Sequence, residues 1–374
     1  MKRLTALLLA LLLLLGLTAC AHKNKNDVSE TGPMRVAMIT DFADITDQSF
    51  NQLTYESCRD YSAAHGCAFR YFKPVGNSDE DRVAMIETAI DEGFNVIVMP
   101  GYTFAGPIKD LVQYYPDVTF LGIDVGESEL GADYQLPSNL VCTIFREEQS
   151  GYMAGYAAVK MGYRKLGFLG GMAGGSVKRY GYGFVQGVDR AAQELGLTDV
   201  SIKYAYGNQY YGDADITAAM DTWYASGTEI VFSCGASIFT SVAEAAVKFG
   251  GKLIGVDVDS AAKIDGDFGH KITETSAVKG IREAIELVLD SMANGTFGEV
   301  SGKIHNLGVW SDDPAENFTG LAASTCFNDT FTEADYRELV RAVNAGELVI
   351  SNDVSGEPGD FAKNIQFEYL GNLK

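Results

Sequence analysis

The sequence predicts an α/β protein of two lobes, each built on a doubly wound parallel sheet. Three observations predict it. Short β-branched runs alternate with amphipathic segments of helical length, the pattern of βαβ units. The apolar runs are nearly unbroken, as strands covered on both faces require. The chain has 374 residues, 47% hydrophobic and 21% charged, which suffices for two full cores.

The elements follow in order. Residues 35–40 (RVAMIT) read as the first strand, and 49–64 as a helix with Phe50, Leu53 and Tyr61 as face candidates. A helix over 83–92 leads into a strand at 95–100, and 118–125 (VTFLGIDV) is the next strand. Residues 147–161 are helical, and 165–170 (KLGFLG) form a strand ending in glycines. Beyond it come a helix over 177–195, a strand at 202–206, a helix over 215–226 and a strand at 229–234. A helix over 241–249, a strand at 252–258 (KLIGVDV) and a helix over 279–294 complete the series.

Composition excludes several classes. A formal charge of −21 argues against a nucleic-acid partner, which needs a basic face. With 4 His, 6 Cys and no C-x-x-C pair, no metal site is expected. There is no G-x-x-x-x-G-K-[ST] phosphate loop, and no cofactor is expected. No Ser/His/Asp set is legible, and no catalytic residue is assigned. Cys58, Cys67, Cys142, Cys234 and Cys326 are an odd number and sit mostly in apolar segments, so buried free thiols are the expectation; a Cys58–Cys67 bridge is the alternative.

The amino-terminal stretch reads as an export signal. Lys2 and Arg3 precede residues 7–15, which are Leu except for Ala10. That core is shorter than the ~20 residues a membrane-spanning helix needs. Leu17-Thr18-Ala19-Cys20 resembles a bacterial lipobox, so residues 1–19 are expected to be removed and Cys20 lipidated. Residues 20–33, rich in Lys, Asn, Asp and Ser, form a flexible tether. The body is then expected on the outer face of the cell membrane, held by a diacylglycerol anchor because one acyl chain alone binds weakly.

In open α/β sheets ligands sit beyond the carboxyl ends of strands. Three strands end in an acid: Asp41, Asp124 and Asp257. Singly each could cap a helix or form a turn. Together with nearby aromatics they suggest a ligand site, because a carboxylate accepts two hydrogen bonds from a cis-diol and a ring stacks on a planar base. A neutral polyol carrying a flat ring is a nucleoside; a phosphorylated ligand would be repelled.

Asp41-Phe42-Ala43-Asp44-Ile45-Thr46-Asp47-Gln48-Ser49-Phe50-Asn51-Gln52 resembles the D-x-G-x-I-D-D-K-S-F-N-Q segment of the basic membrane protein family. Gly167-Phe168-Leu169-Gly170-Gly171-Met172 is similar to its G-F-[IL]-G-G-M, followed by Val177-Lys178-Arg179-Tyr180 and Gly183-Phe184-Val185-Gln186-Gly187 for V-x-R-F and G-F-x-x-G. Ile254-Gly255-Val256-Asp257-Val258-Asp259 and Thr275-Ser276-Ala277-Val278-Lys279 resemble its I-G-V-D-x-D-Q and T-S-x-x-K. The motifs keep family order over about residues 34–308, with Ala43, Gln48 and Ser260 as departures.

The resemblance implies a lipoprotein that binds purine nucleosides for an ABC importer, with a permease and its ATPase as partners. By position, Asp41 and Asp124 would recognise the ligand and Phe50 would stack on the base beside Asn51. Asp257 would hold ribose hydroxyls, and Lys279 would reach across from the second lobe to Asp257 or the ribose. Gly235 would let backbone approach the ligand, and Tyr210, with Tyr211 close behind, would supply the second ring. The implied architecture is the type I periplasmic-binding-protein fold with a three-crossover hinge. Residues 34–144 and 275–303 form the first lobe, 145–274 and 304–374 the second. Rival readings are a sugar or other small-metabolite binder or sensor, and a nucleosidase using Asp41 or Asp124.

Overall fold

The computed structural model describes residues 34–374 save 42–43 and 47–49; the expected signal, tether and Cys20 lie outside the described residues. The first lobe comprises β1 (Arg35–Ile39), α1 (Phe50–His65), β2 (Ala68–Phe72), α2 (Asp79–Asp91), β3 (Val96–Pro100), α3 (Ala105–Leu111), β4 (Thr119–Ile123), the single turn α4 (Glu127–Leu130) and β5 (Leu140–Phe145). The second runs through α5 (Glu147–Lys160), β6 (Lys165–Gly170), α6 (Gly175–Leu195), β7 (Ser201–Tyr206), α7 (Ala214–Ala225), β8 (Ile230–Cys234), α8 (Phe239–Phe249), β9 (Lys252–Asp257), α9 (Ala261–Phe268) and β10 (Thr273–Lys279). The chain returns to the first lobe with α10 (Ile281–Ala293), α11 (Phe297–Val300) and β11 (Lys303–Leu307). It ends in the second with β12 (Thr319–Leu321), α12 (Glu333–Asn344) and β13 (Gln366–Asn372).

One sheet has the order β11-β5-β4-β3-β1-β2, the other β12-β10-β9-β8-β6-β7-β13. All pairings are parallel except β10 with β12. This is the expected pair of parallel-dominated sheets. The boundaries need correction. β10 pairs with β9, Thr275 beside Ile254, so residues 275–279 belong to the second lobe, not the first. β11 pairs with β5 through Leu307, so residues 304–307 belong to the first. The chain therefore changes lobes at Arg146, Gly280 and Gly308. β10 (TETSAVK) eludes a pattern reading because its buried residues are mostly polar.

The first and third crossings are tied by the Arg146 amide, which donates to the Leu307 carbonyl at 2.8 Å. The buried side chains of Gln149 and Ser150 brace the third and second crossings. Gln149 Oε1 accepts from the Val309 amide and Thr319 Oγ1, each at 2.8 Å. Ser150 Oγ donates to the Val278 carbonyl at 2.7 Å.

In the second lobe, α5 and α6 cross with backbones in contact. A β-carbon at Gly151 would lie 2.1 Å from the Tyr180 carbonyl oxygen; at Gly183, 2.1 Å from that of Glu148; at Gly187, 2.0 Å from that of Tyr152. Only glycine permits this approach. Around it Phe168 stacks on Tyr204 at 4.4 Å between centroids and meets Phe232 edge-on at 5.4 Å. The crossing matters for function because the first turns of both helices reach the interlobe cleft. Cys58, Cys67, Cys142 and Cys234 are buried thiols and Cys326 is partly exposed; all five are free.

Gly187→Ala should destabilise the fold by about 1–3 kcal/mol through overpacking, outweighing the ~1 kcal/mol that alanine gains in helix propensity. Urea unfolding checks this, and a variant as stable as wild type would contradict the contact.

Candidate functional site

The carboxyl ends of both sheets open on one interlobe cavity of about 290 Å³. Asp41 follows β1, Asp124 follows β4, Asp257 ends β9 and Lys279 ends β10. Phe50 and Asn51 open α1; Tyr210 lies between β7 and α7, and Gly235 follows β8. The structure thus brings all eight sequence-predicted residues together. Asn51 reaches back to the first strand, its Oδ1 accepting from the Asp41 amide at 3.4 Å.

Strand ends are bent to aim these groups. Among the described residues, the non-glycine positions with positive φ are Asp124 (56°), Asn208 (56°), Ala236 (41°) and Asp257 (65°). Each sits within two residues of the end of β4, β7, β8 or β9. Left-handed backbone costs roughly 1–3 kcal/mol per residue, and Asp and Asn tolerate it best. The strain is concentrated on the cavity rim, where it turns the chain sharply enough to present a side chain at once.

Lys279 is the electrostatic centre and is only 4% exposed. Its Nζ donates to Asp124 Oδ2 at 2.6 Å, across the lobes. Glu147 Oε1 lies at 3.6 Å and Asp257 Oδ1 at 3.7 Å. The ammonium also stands 4.9 Å from the Phe50 ring centroid and 5.4 Å from that of Phe145, in cation–π range. Lys279 does not start a helix, as the sequence reading had it: it ends β10, and α10 begins at Ile281. Its close partner is Asp124, with Asp257 secondary.

Burial opposes the charged ammonium, but Asp124, Asp257 and Glu147 outweigh it and hold its pKa well above the usual value. Burial pushes Asp124 up to about 6, with Lys279 pulling the other way. Glu147 is fully buried, yet Arg179 and Lys279 hold it below the usual carboxylate range. Arg179 Nε donates to Glu147 Oε2 at 2.5 Å and Ser176 Oγ to Oε1 at 2.7 Å. Buried Asp124 Oδ1 has no hydrogen-bond partner among the described residues, so a ligand donor would satisfy it.

Sequence reasoning missed several parts. Tyr180 Oη donates to Asp257 Oδ1 at 3.3 Å; its V-x-R-Y motif was visible but carried no role. Glu147 and Arg179, which support Lys279, lie 32 positions apart and gave no joint signal. Tyr102 enters from the turn after β3 without any motif. The glycines after β6 make room for Tyr210: a β-carbon at Gly171 would lie 2.5 Å from that ring, and one at Gly235 3.1 Å. Gly235 therefore admits the ring as well as lining the cavity. Among the described residues no cluster of His, Cys, Asp and Glu has the makings of a metal site.

The arrangement is an acidic, aromatic-walled pocket with a single ammonium at its base. It can accept donors at several carboxylates and a flat ring against Phe50 or Tyr210. An anionic group would meet more negative than positive neighbours.

The family model described as ABC transporter substrate-binding protein, PnrA-like (Bmp) matches residues 34–312. Basic membrane protein B of Borreliella afzelii is 28% identical over 311 residues, covering 78% of this chain and 83% of that protein. The ABC transporter nucleoside-binding protein BmpA of Lactococcus lactis is 25% identical over 286 residues, 71% and 76% of the two chains. Among solved structures, ABC transporter solute-binding proteins from Conexibacter woesei and Aeropyrum pernix superpose with TM-scores of 0.67 and 0.64 at 20% and 18% identity. They cover 85% and 88% of this chain, and 99% and 90% of theirs, and show the shared fold.

One pH effect follows from the buried carboxyls. Burial raises Glu148, in the first turn of α5, from 4.5 to about 7. The folded state keeps that proton up to about pH 7, whereas the unfolded chain releases it near 4.5. The protein should therefore gain stability on acidification from pH 7.5 to 5 and lose that gain as pH rises through 7. Asp124 contributes with the same sign. Glu148→Gln should flatten the slope by up to ~1.4 kcal/mol per pH unit; denaturant titrations at both pH values measure it.

Proposed function

The chain belongs to the Bmp family of PnrA-like ABC transporter substrate-binding proteins, and we propose that its solute is a nucleoside. It is a solute receptor rather than an enzyme, as its family is, and a membrane permease is the partner the family implies. The nucleosidase alternative falls with that assignment.

The observation that carries the nucleoside reading is the position of Lys279. Its ammonium is 4.9 Å from the Phe50 ring and 3.7 Å from Asp257, so the stacking ring and the diol-binding acid lie within the span of one small molecule. A base stacks on Phe50, with Tyr210 as the opposing ring; Asp257, oriented by Tyr180, accepts from the ribose hydroxyls. Asp124 Oδ1 takes a further donor. The cavity volume is near the lower end of the ~300–1,000 Å³ common for small-molecule sites, which suits an unphosphorylated nucleoside. The nucleoside-binding relative from Lactococcus lactis supports the same reading. Because groups from both lobes meet the ligand, binding favours the closed form, which is presented to the permease.

Calorimetry should detect adenosine, guanosine, inosine or uridine, with ribose weaker and the 5′-monophosphates at least tenfold weaker than their nucleosides. Heat from ribose alone would turn the assignment towards a sugar, and silence from every nucleoside would end it. Phe50→Ala should cost about 1–3 kcal/mol of binding, the worth of one stacked base.

We also propose that Cys20 carries the lipid that holds the protein on the outer face of the cell membrane; Leu17-Thr18-Ala19-Cys20 supports this. Cys20→Ser should move the protein from the membrane pellet to the soluble fraction, and a variant that stays in the pellet would refute the anchor.

A further inference from the structure

The stretch beyond residue 312, where the family match stops, builds part of the site's support. β13 pairs in parallel with β7, Gln366 beside Ser201 and Tyr369 beside Tyr204. Without it β7 would be an edge strand with one row of backbone groups unpaired. β7 leads directly into residues 207–213, the loop that carries Tyr210 into the cavity.

The contacts continue to that loop. The rings of Phe367 and Tyr369 lie 5.8 and 6.0 Å from Tyr204. The Leu373 amide donates to the Tyr206 carbonyl, the last of β7, at 2.8 Å. Lys374 Nζ then pairs with Asp213 and lies 3.2 Å from Asp215. Asp213 closes the loop: Oδ1 caps α7 by accepting from the Asp215 and Ile216 amides at 3.1 and 3.0 Å. Its Oδ2 accepts from Gln209 Nε2 at 2.9 Å, and the same Gln209 group donates to the Tyr211 carbonyl at 2.8 Å. Gln209 and Asp213 thus bracket Tyr210 from both sides, and Lys374 holds the bracket to β13.

We propose that β13 and Lys374 are positioning elements for Tyr210: they set the loop 207–213 so that this ring meets the base, and so tune ligand affinity without touching the ligand. The proposal rests on the nucleoside reading for its effect on affinity, and on geometry alone for its effect on the loop. A rigid ring loses less freedom when the ligand arrives, which favours slower dissociation.

The test uses the whole mature chain carrying Lys374→Ala, Lys374→Arg, Tyr210→Ala and the Lys374→Ala/Tyr210→Ala pair, with the tightest-binding nucleoside of the panel above. Lys374→Ala should weaken binding about 2–5-fold, the scale of an exposed ion pair, mainly through faster dissociation. Lys374→Arg should restore it. In the Tyr210→Ala background, Lys374→Ala should add no further loss, because the two act as a unit. Unchanged affinity in Lys374→Ala, or an equal loss with and without Tyr210, would overturn the proposal while leaving the nucleoside reading standing. Hydrogen exchange of the ligand-free chain reads the loop independently. The amides of 207–213 should exchange faster in Lys374→Ala than in wild type or Lys374→Arg. Equal exchange would overturn the proposal even if no nucleoside binds, whereas silence from every nucleoside with faster exchange would remove only the assigned ligand.

Discussion

A buried ammonium at the junction of two lobes is the constraint on which the site depends. Removing a charge from water costs several kcal/mol unless partners replace the solvent. Lys279 finds them in Asp124 of the first lobe and in Glu147 and Asp257 of the second. The residue after it, Gly280, is where the chain passes back to the first lobe, and Glu147 follows the first crossing at Arg146. Lys279, which lines the cavity, therefore stands one residue from a crossing, and Glu147 supports it from beside another. Of the three contacts of Lys279 only the one with Asp124 bridges the lobes, so a solute that competes for Asp124 would act on the link between them.

The remainder of the molecule holds these few groups still. The glycine-mediated crossing of α5 and α6 fixes Glu147 against Ser176 and Arg179. Left-handed strand ends at Asp124 and Asp257 are kept in place by the sheets behind them. Glycines at 171 and 235 leave one slot for Tyr210, and a ring pressed into that slot has little freedom to lose. Polar side chains that would be costly if unpaired are satisfied at the crossings by Gln149 and Ser150. Such networks favour one geometry, because partial satisfaction is expensive.

Much of this was legible in the amino-acid order. Strand–helix alternation is a local property, and unbroken apolar runs report that both faces of a strand are covered; both survive without knowledge of the partner strands. Acids directly after strands were readable for the same reason, since parallel sheets gather their carboxyl ends on one side. The resemblance carried Phe50, Asn51, Tyr210, Gly235 and Lys279, which no local pattern distinguishes from core or surface residues.

What needed the tertiary structure was everything decided by which segment meets which. β10 is too polar to read as a strand, so that its last residue passes for the start of the next helix, and only the pairing with β9 makes Lys279 a strand end aimed at Asp124. Glu147 and Arg179 lie on different helices and meet only because glycines let those helices touch. β13 returns to β7 across some 160 residues, a separation over which sequence periodicity carries no information. By itself the sequence determined the apolar central strands and most of the longer helices, the charge and the chemical kind of the site, because these depend on neighbours along the chain. The sheet assignments, the cross-lobe ion pair and the slot for Tyr210 were decided by packing, because a contact's energy depends on distance in space and not on distance along the chain.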